Sequence, residues 1–342
     1  MPPAPLWRAL DEIPADLGPT AVAIGNFDGV HRGHRAVLAI LEGEASARGL
    51  AAVALTFWPH PRHVCVSPGN PTLITGARER AARLADTGLS GVLELPFTWD
   101  FAQLSAEDFV RTVLVEGLGM RLIVTGRDAR FGRANEGDLA TMQELGERFG
   151  FDVVVVEPHG EAGAERVSST AIRDLLEIDG DVVTAARMMG EPHVVIDTVR
   201  HGYKRGRELG FPTANLGPDP EGMVPRDGVY AGRVTVLEQT LAHAGRPRLV
   251  DAPATISVGT NPTFHEEGAV GQPRVVEAYI HTDQPVEALD LYGDTVRVEF
   301  VELQRPTLRF DSVDALVAQM EEDKDVTVRT LERHGLLRSQ AA

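Results

Sequence analysis

A single cysteine, Cys65, stands in 342 residues. That excludes an internal disulfide framework and fits a reducing compartment. Basic residues are outnumbered: 33 Lys and Arg against 50 Asp and Glu leave a formal charge of −17 at pH 7. The deficit argues against non-specific binding to nucleic acid, which needs a basic footprint. Anionic substrates would need cations gathered at a local site. No run is long and apolar enough to span a membrane, and Met1 to Leu10 carry no apolar core of signal-peptide length; the expectation is a cytoplasmic protein with no membrane partner. Neither Gly-x-x-x-x-Gly-Lys-Ser/Thr nor Gly-x-Gly-x-x-Gly occurs, which sets aside P-loop kinases and Rossmann dehydrogenases.

What is present is an ordinary globular composition, 43% apolar and 24% charged, in a chain long enough for two domains. In the first half, strand patterns at Ala21–Ile24, Ala51–Phe57, Val92–Leu95, Leu122–Thr125 and Val153–Glu157 alternate with helical patterns. The helices fall near Arg35–Arg48, Ala77–Thr87, Ala106–Leu118 and Gly137–Phe149, and Ser105-x-x-Asp108 reads as a capping box. This alternation predicts an α/β domain with a covered parallel sheet, whose ligands sit beyond the carboxyl ends of the strands. After Gly190-Glu191-Pro192 the pattern becomes strand upon strand: Val194–Val199, Val229–Leu237, Ala254–Val258, Val275–His281 and Thr295–Leu303. That reads as an antiparallel barrel or sandwich, closed by a helix from about Val313 to Leu331 capped by Asp311 or Ser312. The expected domains are residues 1–187 and 188–342.

The densest motif is Gly25-Asn26-Phe27-Asp28-Gly29-Val30-His31-Arg32-Gly33-His34, between the first apolar run and a helix. It sets two imidazoles at a helix N-terminus, where free N–H groups and the dipole favour an anion. Thr56-Phe57-Trp58-Pro59-His60-Pro61 ends the second strand and Thr125 to Gly132 the fourth. Arg166-Val167-Ser168-Ser169-Thr170-Ala171-Ile172-Arg173 opens a further helix. All could converge on one sheet edge, where hydroxyls and guanidinium groups would meet a triphosphate. His60, His63 and Cys65 lack a second ligand pair for zinc; Trp58 and Trp99 read as core or rim aromatics, and Cys65 as a small packing residue.

The second half has its own phosphate-type signal, the basic loop His201-Gly202-Tyr203-Lys204-Arg205-Gly206, followed by Phe211-Pro212-Thr213-Ala214-Asn215. Glycines let backbone N–H groups approach a phosphate, and Thr and Asn offer neutral oxygens to Mg²⁺.

Gly-x-Phe-Asp-Gly-x-His-x-Gly-His, Pro-His-Pro and Arg-x-Ser-Ser-Thr-x-x-Arg resemble the FMN adenylyltransferase module of the bacterial bifunctional riboflavin kinase/FAD synthetases, in the nucleotidyltransferase superfamily. The resemblance implies a Rossmann-like fold in which His31, His34 and Arg166 act on the ATP phosphates. Gly25, Phe27, Asp28, His60, Asp128, Ser169, Thr170 and Arg173 would form the nucleotide site, and Phe131 would touch the flavin. Ala129 and Cys65 depart from the family pattern, an aromatic and a bulky apolar residue being usual there. Pro-Thr-Ala-Asn with Asp227-Gly228-Val229-Tyr230, Gly259 to Phe264 and Val276-Glu277-Ala278 resembles the riboflavin kinase module, a Greek-key barrel. Here Thr213 and Asn215 would hold Mg²⁺ with ATP, and Glu277 would be the base on the ribityl hydroxyl. Gly202, Lys204 and Gly206 would hold phosphate, and Arg305 would lie near the flavin, although Thr307 replaces a usual glutamate. The implied function is phosphorylation of riboflavin to FMN, then adenylylation of FMN to FAD, each with ATP and Mg²⁺. A nucleotidyltransferase with another acceptor would leave the barrel unexplained. A flavin-binding regulator would not need the intact histidines. Assembly into a homo-oligomer is left open.

Overall fold

The structure is a computed structural model that describes residues 3–66, 72–156, 167–201, 213–260, 274–282 and 290–337. The chain divides into two compact units, Met1–Leu73 with Ala77–Ser169, and Ile74–Gly76 with Thr170–Ala342.

The first unit is built on β1 (Leu6–Trp7), β2 (Thr20–Ile24), β3 (Ala51–Trp58), β4 (Gly91–Pro96), β5 (Met120–Gly126) and β6 (Asp152–Val156). They lie in the order β1-β4-β3-β2-β5-β6 with every described pairing parallel. Alternate residues serve opposite faces, as the two-residue period of a strand requires. Val22, Val53, Leu55, Leu93 and Ile123 join one core with Phe109, Val113, Leu114, Met142 and Leu145 from covering helices. Ala21, Ala23, Ala52, Ala54, Leu122 and Val124 join the other with Leu38, Leu41 and Ala45 of helix α1 (Arg32–Arg48). The alanines on that face let α1 lie close to the sheet. α1 ends at Gly49, whose φ of 65° suits a left-handed cap. The Ser105 cap is present, with Asp108 N–H donating to Ser105 Oγ at 3.0 Å. The reciprocal bond of a full box is replaced by Ser105 Oγ donating to Asp108 Oδ2 at 2.7 Å.

The second unit holds β7 (His193–Thr198), β8 (Thr213–Asn215), β9 (Gly228–Glu238), β10 (Ala252–Thr260), β11 (Arg274–Ile280) and β12 (Thr295–Arg305). Their order is β7-β12-β9-β10-β11-β8, antiparallel throughout. The sheet curls until its edges meet: Arg200, just past β7, donates its N–H to Asn215 O at 2.8 Å. Gly217 N–H also reaches Asp197 Oδ2 of β7 at 2.7 Å. Ile196, Val234, Ile256, Val276, Val298 and Phe300, spread over five strands, are buried in the interior. A helix at Val313–Arg333, capped by Ser312 Oγ at 3.1 Å, packs on β9, β10 and β12. No helix among the described residues is long and apolar enough to cross a membrane.

Two strands, β1 and β8, are not expected from the sequence, being two and three residues long. Nor is the eight-residue helix Val182–Met189 that precedes the barrel. Hydrophobic periodicity is hard to read in segments that short.

Candidate active sites

The turn between β2 and α1 is strained at two side-chain-bearing residues, Phe27 with φ 48° and Val30 with φ 42°. Such left-handed geometry costs on the order of 1–3 kcal/mol per residue and persists only where surroundings impose it. Four consecutive carbonyls receive donors. Arg80 Nη1 donates to Asn26 O at 3.2 Å, Val30 N–H to Phe27 O at 3.0 Å, Ser169 Oγ to Asp28 O at 3.0 Å and Arg83 Nη1 to Gly29 O at 3.4 Å. Gly25, at the end of β2, donates its N–H to Leu55 O at 3.1 Å. Phe27 and Asp28 are both buried.

The turn delivers His31 to the N-cap of α1, where its Nδ1 accepts the His34 N–H at 3.3 Å. The two rings stack with centroids 3.6 Å apart and planes 14° from parallel, and Phe27 meets His34 edge-on at 5.4 Å. A Cβ at Gly33 would come within 3.2 Å of the His31 ring, tighter than an ordinary contact. Burial pushes the His31 pKa down to about 4, against a smaller upward effect of its own backbone. Burial, and then the charge of His31, holds His34 well below 6.5. Both rings are therefore neutral at pH 7, and with Nδ1 accepting, the His31 proton sits on Nε2 as a donor. His34 Nδ1 is buried without a hydrogen-bond partner among the described residues. His60 caps the helix Pro61–Cys65, its Nδ1 accepting the Arg62 N–H at 3.1 Å.

Beside this turn lies a cavity of about 680 Å³, with Gly25, Asp128 and Phe131 on its wall. Phe57, Phe97, Phe101 and Phe109 line it too, their rings running in contact to Phe131 at centroid spacings of 5.5 to 6.4 Å. Flat aromatic ligands suit such a wall. Ala129 and Cys65 line the same cavity, so both departures from the family pattern fall on one space. Cys65 is exposed there, not the packing residue expected. Trp58 and Trp99 lie at the surface, 39% and 60% exposed, in keeping with rim residues. Ser169 opens the helix Ser169–Asp174, on which Thr170 and Arg173 follow. Arg166, Gly202, Lys204 and Gly206 lie outside the described residues.

In the second unit the register sets Glu277 of β11 directly opposite Asn215 of β8 on one side and Ser257 of β10 on the other. Thr213 pairs with Tyr279, so Thr213, Asn215, Glu277 and Ser257 share one face, opposite the buried Ala214, Val276 and Ala278. Asn215 Nδ2 donates to Thr213 Oγ1 at 3.0 Å and to Thr213 O at 3.2 Å, which fixes the carboxamide against the threonine. Burial raises the Glu277 carboxyl above its ordinary pKa. Arg305 forms a bidentate pair with Asp323 of the terminal helix, Nε to Oδ1 at 2.8 Å and Nη2 to Oδ2 at 2.6 Å.

Sequence reasoning missed Arg80, Arg83, Glu79 and Glu94, all buried. Arg80 pairs with Glu94 at 2.6 Å and Arg83 with Glu79 at 3.0 Å. The available signal was a helix, Ala77–Ala85, with too little apolar surface to cover a sheet by itself. Ser257 was missed as well, and only strand register identifies it.

A neutral histidine pair at a helix start beyond a parallel sheet, in series with a carboxylate-bearing antiparallel barrel, defines a two-module protein for nucleotide chemistry. A family model described as FAD synthetase matches residues 13–171, and one described as riboflavin kinase matches residues 189–331. The bifunctional riboflavin kinase/FMN adenylyltransferase of Escherichia coli (strain K12) is 35% identical over 89% of this chain and 90% of its own. That of Bacillus subtilis (strain 168) is 31% identical over 91% and 92%. The chain belongs to this family of bifunctional enzymes, with the FAD synthetase domain first and the riboflavin kinase domain second. A solved structure from Streptococcus pneumoniae, described as a macrolide-efflux protein, is 29% identical with a TM-score of 0.75, covering 94% of this chain and 98% of that one.

Proposed function

We propose that the two reactions of the family are carried by separate sets of residues, one in each domain, with the functional division at residues 187–188, between the two family matches. In the second domain Glu277 takes the proton of the ribityl 5′-hydroxyl as that oxygen bonds the γ-phosphorus of ATP. The bond from the γ-phosphorus to the β–γ bridging oxygen breaks, giving FMN and ADP. A carboxyl raised by burial is a better proton acceptor than an exposed one. In the first domain an FMN phosphate oxygen attacks the α-phosphorus of a second ATP, and pyrophosphate leaves. No covalent nucleophile is needed. His31 Nε2, His34 and the N-terminus of α1 offer donors to the charge that develops on the leaving group, with Arg166, Thr170 and Arg173 as its cationic and hydroxyl neighbours. The phenylalanine-lined cavity takes the isoalloxazine ring, with Asp128 and Phe131 on its wall.

Thr213 and Asn215, neighbours on one face of β8, each carry a hard, neutral oxygen of the kind that suits Mg²⁺, the amide oxygen lying on the side of the carboxamide away from Thr213. They would hold it in the kinase domain, where it supplies charge neutralisation and orientation of the phosphates. Gly202, Lys204 and Gly206 would hold phosphate and Arg305 would flank the flavin. We place the enzyme in the cytoplasm, where its ATP is found and its lone thiol stays reduced; its partners are then small molecules, in a monomer or a homo-oligomer.

The observation that carries this reading is the direct cross-strand pairing of Glu277 with Asn215. Purified protein given riboflavin, ATP and Mg²⁺ is expected to yield FMN and then FAD, resolved by chromatography. FMN without FAD would remove the roles assigned in the first domain, and no flavin phosphate would remove those in the second.

A further inference from the structure

The nucleotide turn and the His60 segment are separate in sequence, yet one guanidinium ties them. Arg80 is 1% exposed and paired with Glu94, which is 5% exposed, at 2.6 Å. The same side chain donates to Phe57 O at 3.0 Å and to Asn26 O at 3.2 Å. Asn26 precedes the strained Phe27, and Phe57 lies three residues before His60. Three residues along the same helix, Arg83 holds Gly29 O at 3.4 Å while paired with Glu79. Asn26 and Phe57 line the cavity and Arg80 does not, so its influence on the site runs through their backbone carbonyls.

We propose that Arg80, neutralised by Glu94, is a positioning residue for adenylyl transfer: it fixes the turn bearing His31 and His34 against the segment bearing His60. A turn with two positive-φ side-chain residues has no intrinsic reason to keep this shape. A displacement of about 1 Å at groups that must meet a reacting phosphate costs about 100-fold in rate. The inference rests on the reading of the first domain given above.

The test uses the full chain, whose riboflavin kinase activity is an internal measure of folded, active protein. Arg80→Lys keeps the charge beside Glu94 but cannot reach both carbonyls. It is expected to lower the kcat of FMN adenylylation by about 10- to 100-fold, with the KM values for ATP and FMN changed less than about threefold. Riboflavin phosphorylation should be unaltered. The double variant Arg80→Met/Glu94→Leu, which removes both charges while filling their space, should fold with a wild-type melting temperature and show the same kcat loss. Wild-type kcat in the double variant overturns the proposal. So does a kcat loss that appears only together with lowered melting temperature and lowered kinase activity. Failure of the unmodified protein to make FAD from FMN is a different result: it overturns the reading of the first domain itself.

Discussion

The rings of His31 and His34 stack at 3.6 Å, and His31 Nδ1 also caps the His34 N–H at the start of α1. One side chain thus has a structural and a chemical duty, and substitution can separate them. His31→Ala loses both, costing about 1 kcal/mol for the cap and about 100- to 1000-fold in adenylylation for the lost donor. His31→Asn restores a capping oxygen but no imidazole N–H. Its melting temperature should return close to wild type while FAD formation stays low; recovery of FAD formation in the asparagine variant would remove the chemical duty.

The buried imidazoles also set a pH dependence. The unfolded chain binds a proton at each histidine near pH 6.5, whereas folded His31 resists until about pH 4. Between these values the unfolded state holds more protons, so stability is lost as pH falls, by about 1.4 kcal/mol per unit for each such group. The loss is absent above pH 7. Thermal midpoints of the first unit at pH 7.5 and 5.5 should therefore fall further in wild type than in His31→Asn. Equal falls would mean that His31 titrates normally in the folded protein.

Glu277 sits across the ladder from both Asn215 and Ser257. Glu277→Gln keeps the shape and removes the base, and FMN formation should drop by at least about 100-fold. Conversion of added FMN to FAD should be intact. A variant that lost both activities while remaining folded would contradict two independent sites.

Much of this was legible before the structure because the signals were periodic or local. Alternating apolar runs gave the parallel sheet, and the His-x-Gly-His spacing gave a helix start with two rings on one turn. Glu277 came only from the resemblance of Val276-Glu277-Ala278 to the riboflavin kinase module, since alternation alone leaves it an ordinary exposed strand glutamate. The clamp of Arg80 and Glu94 was not legible, because a charged helix reads as solvated until the fold buries it. The Arg200–Asn215 closure of the barrel was hidden for another reason: a three-residue strand carries no period, and its partner lies at the far edge of the sheet. Cys65 shows the same limit, since a cavity wall is made by distant segments meeting.

Ala129 lines the phenylalanine-rich cavity of about 680 Å³ and points to a direct test of what that space holds. Ala129→Glu sets a carboxylate where the wall is now open, so it should leave the melting temperature unchanged. If the flavin ring occupies the space, the KM for FMN should rise at least about tenfold with the KM for ATP little altered. An unchanged FMN KM would move the flavin elsewhere.

Arg305 and Asp323 tie β12 to the terminal helix through two parallel hydrogen bonds, with side chains 18% and 6% exposed. Arg305→Ala leaves the Asp323 carboxylate enclosed and without its cation, as Gln319 Nε2 at 3.1 Å offers only a neutral donor. The cost should be about 1–3 kcal/mol, below that of a fully buried pair because Arg305 keeps some contact with water. Asp323→Leu alone strands the guanidinium instead, but that group can turn toward solvent, so its cost should be smaller. The double variant Arg305→Met/Asp323→Leu leaves neither charge unpaired and should recover most of the loss, giving a coupling energy above about 1 kcal/mol in a double-mutant cycle. Strictly additive melting losses would show that the terminal helix is held by its apolar and threonine contacts, with the ion pair idle.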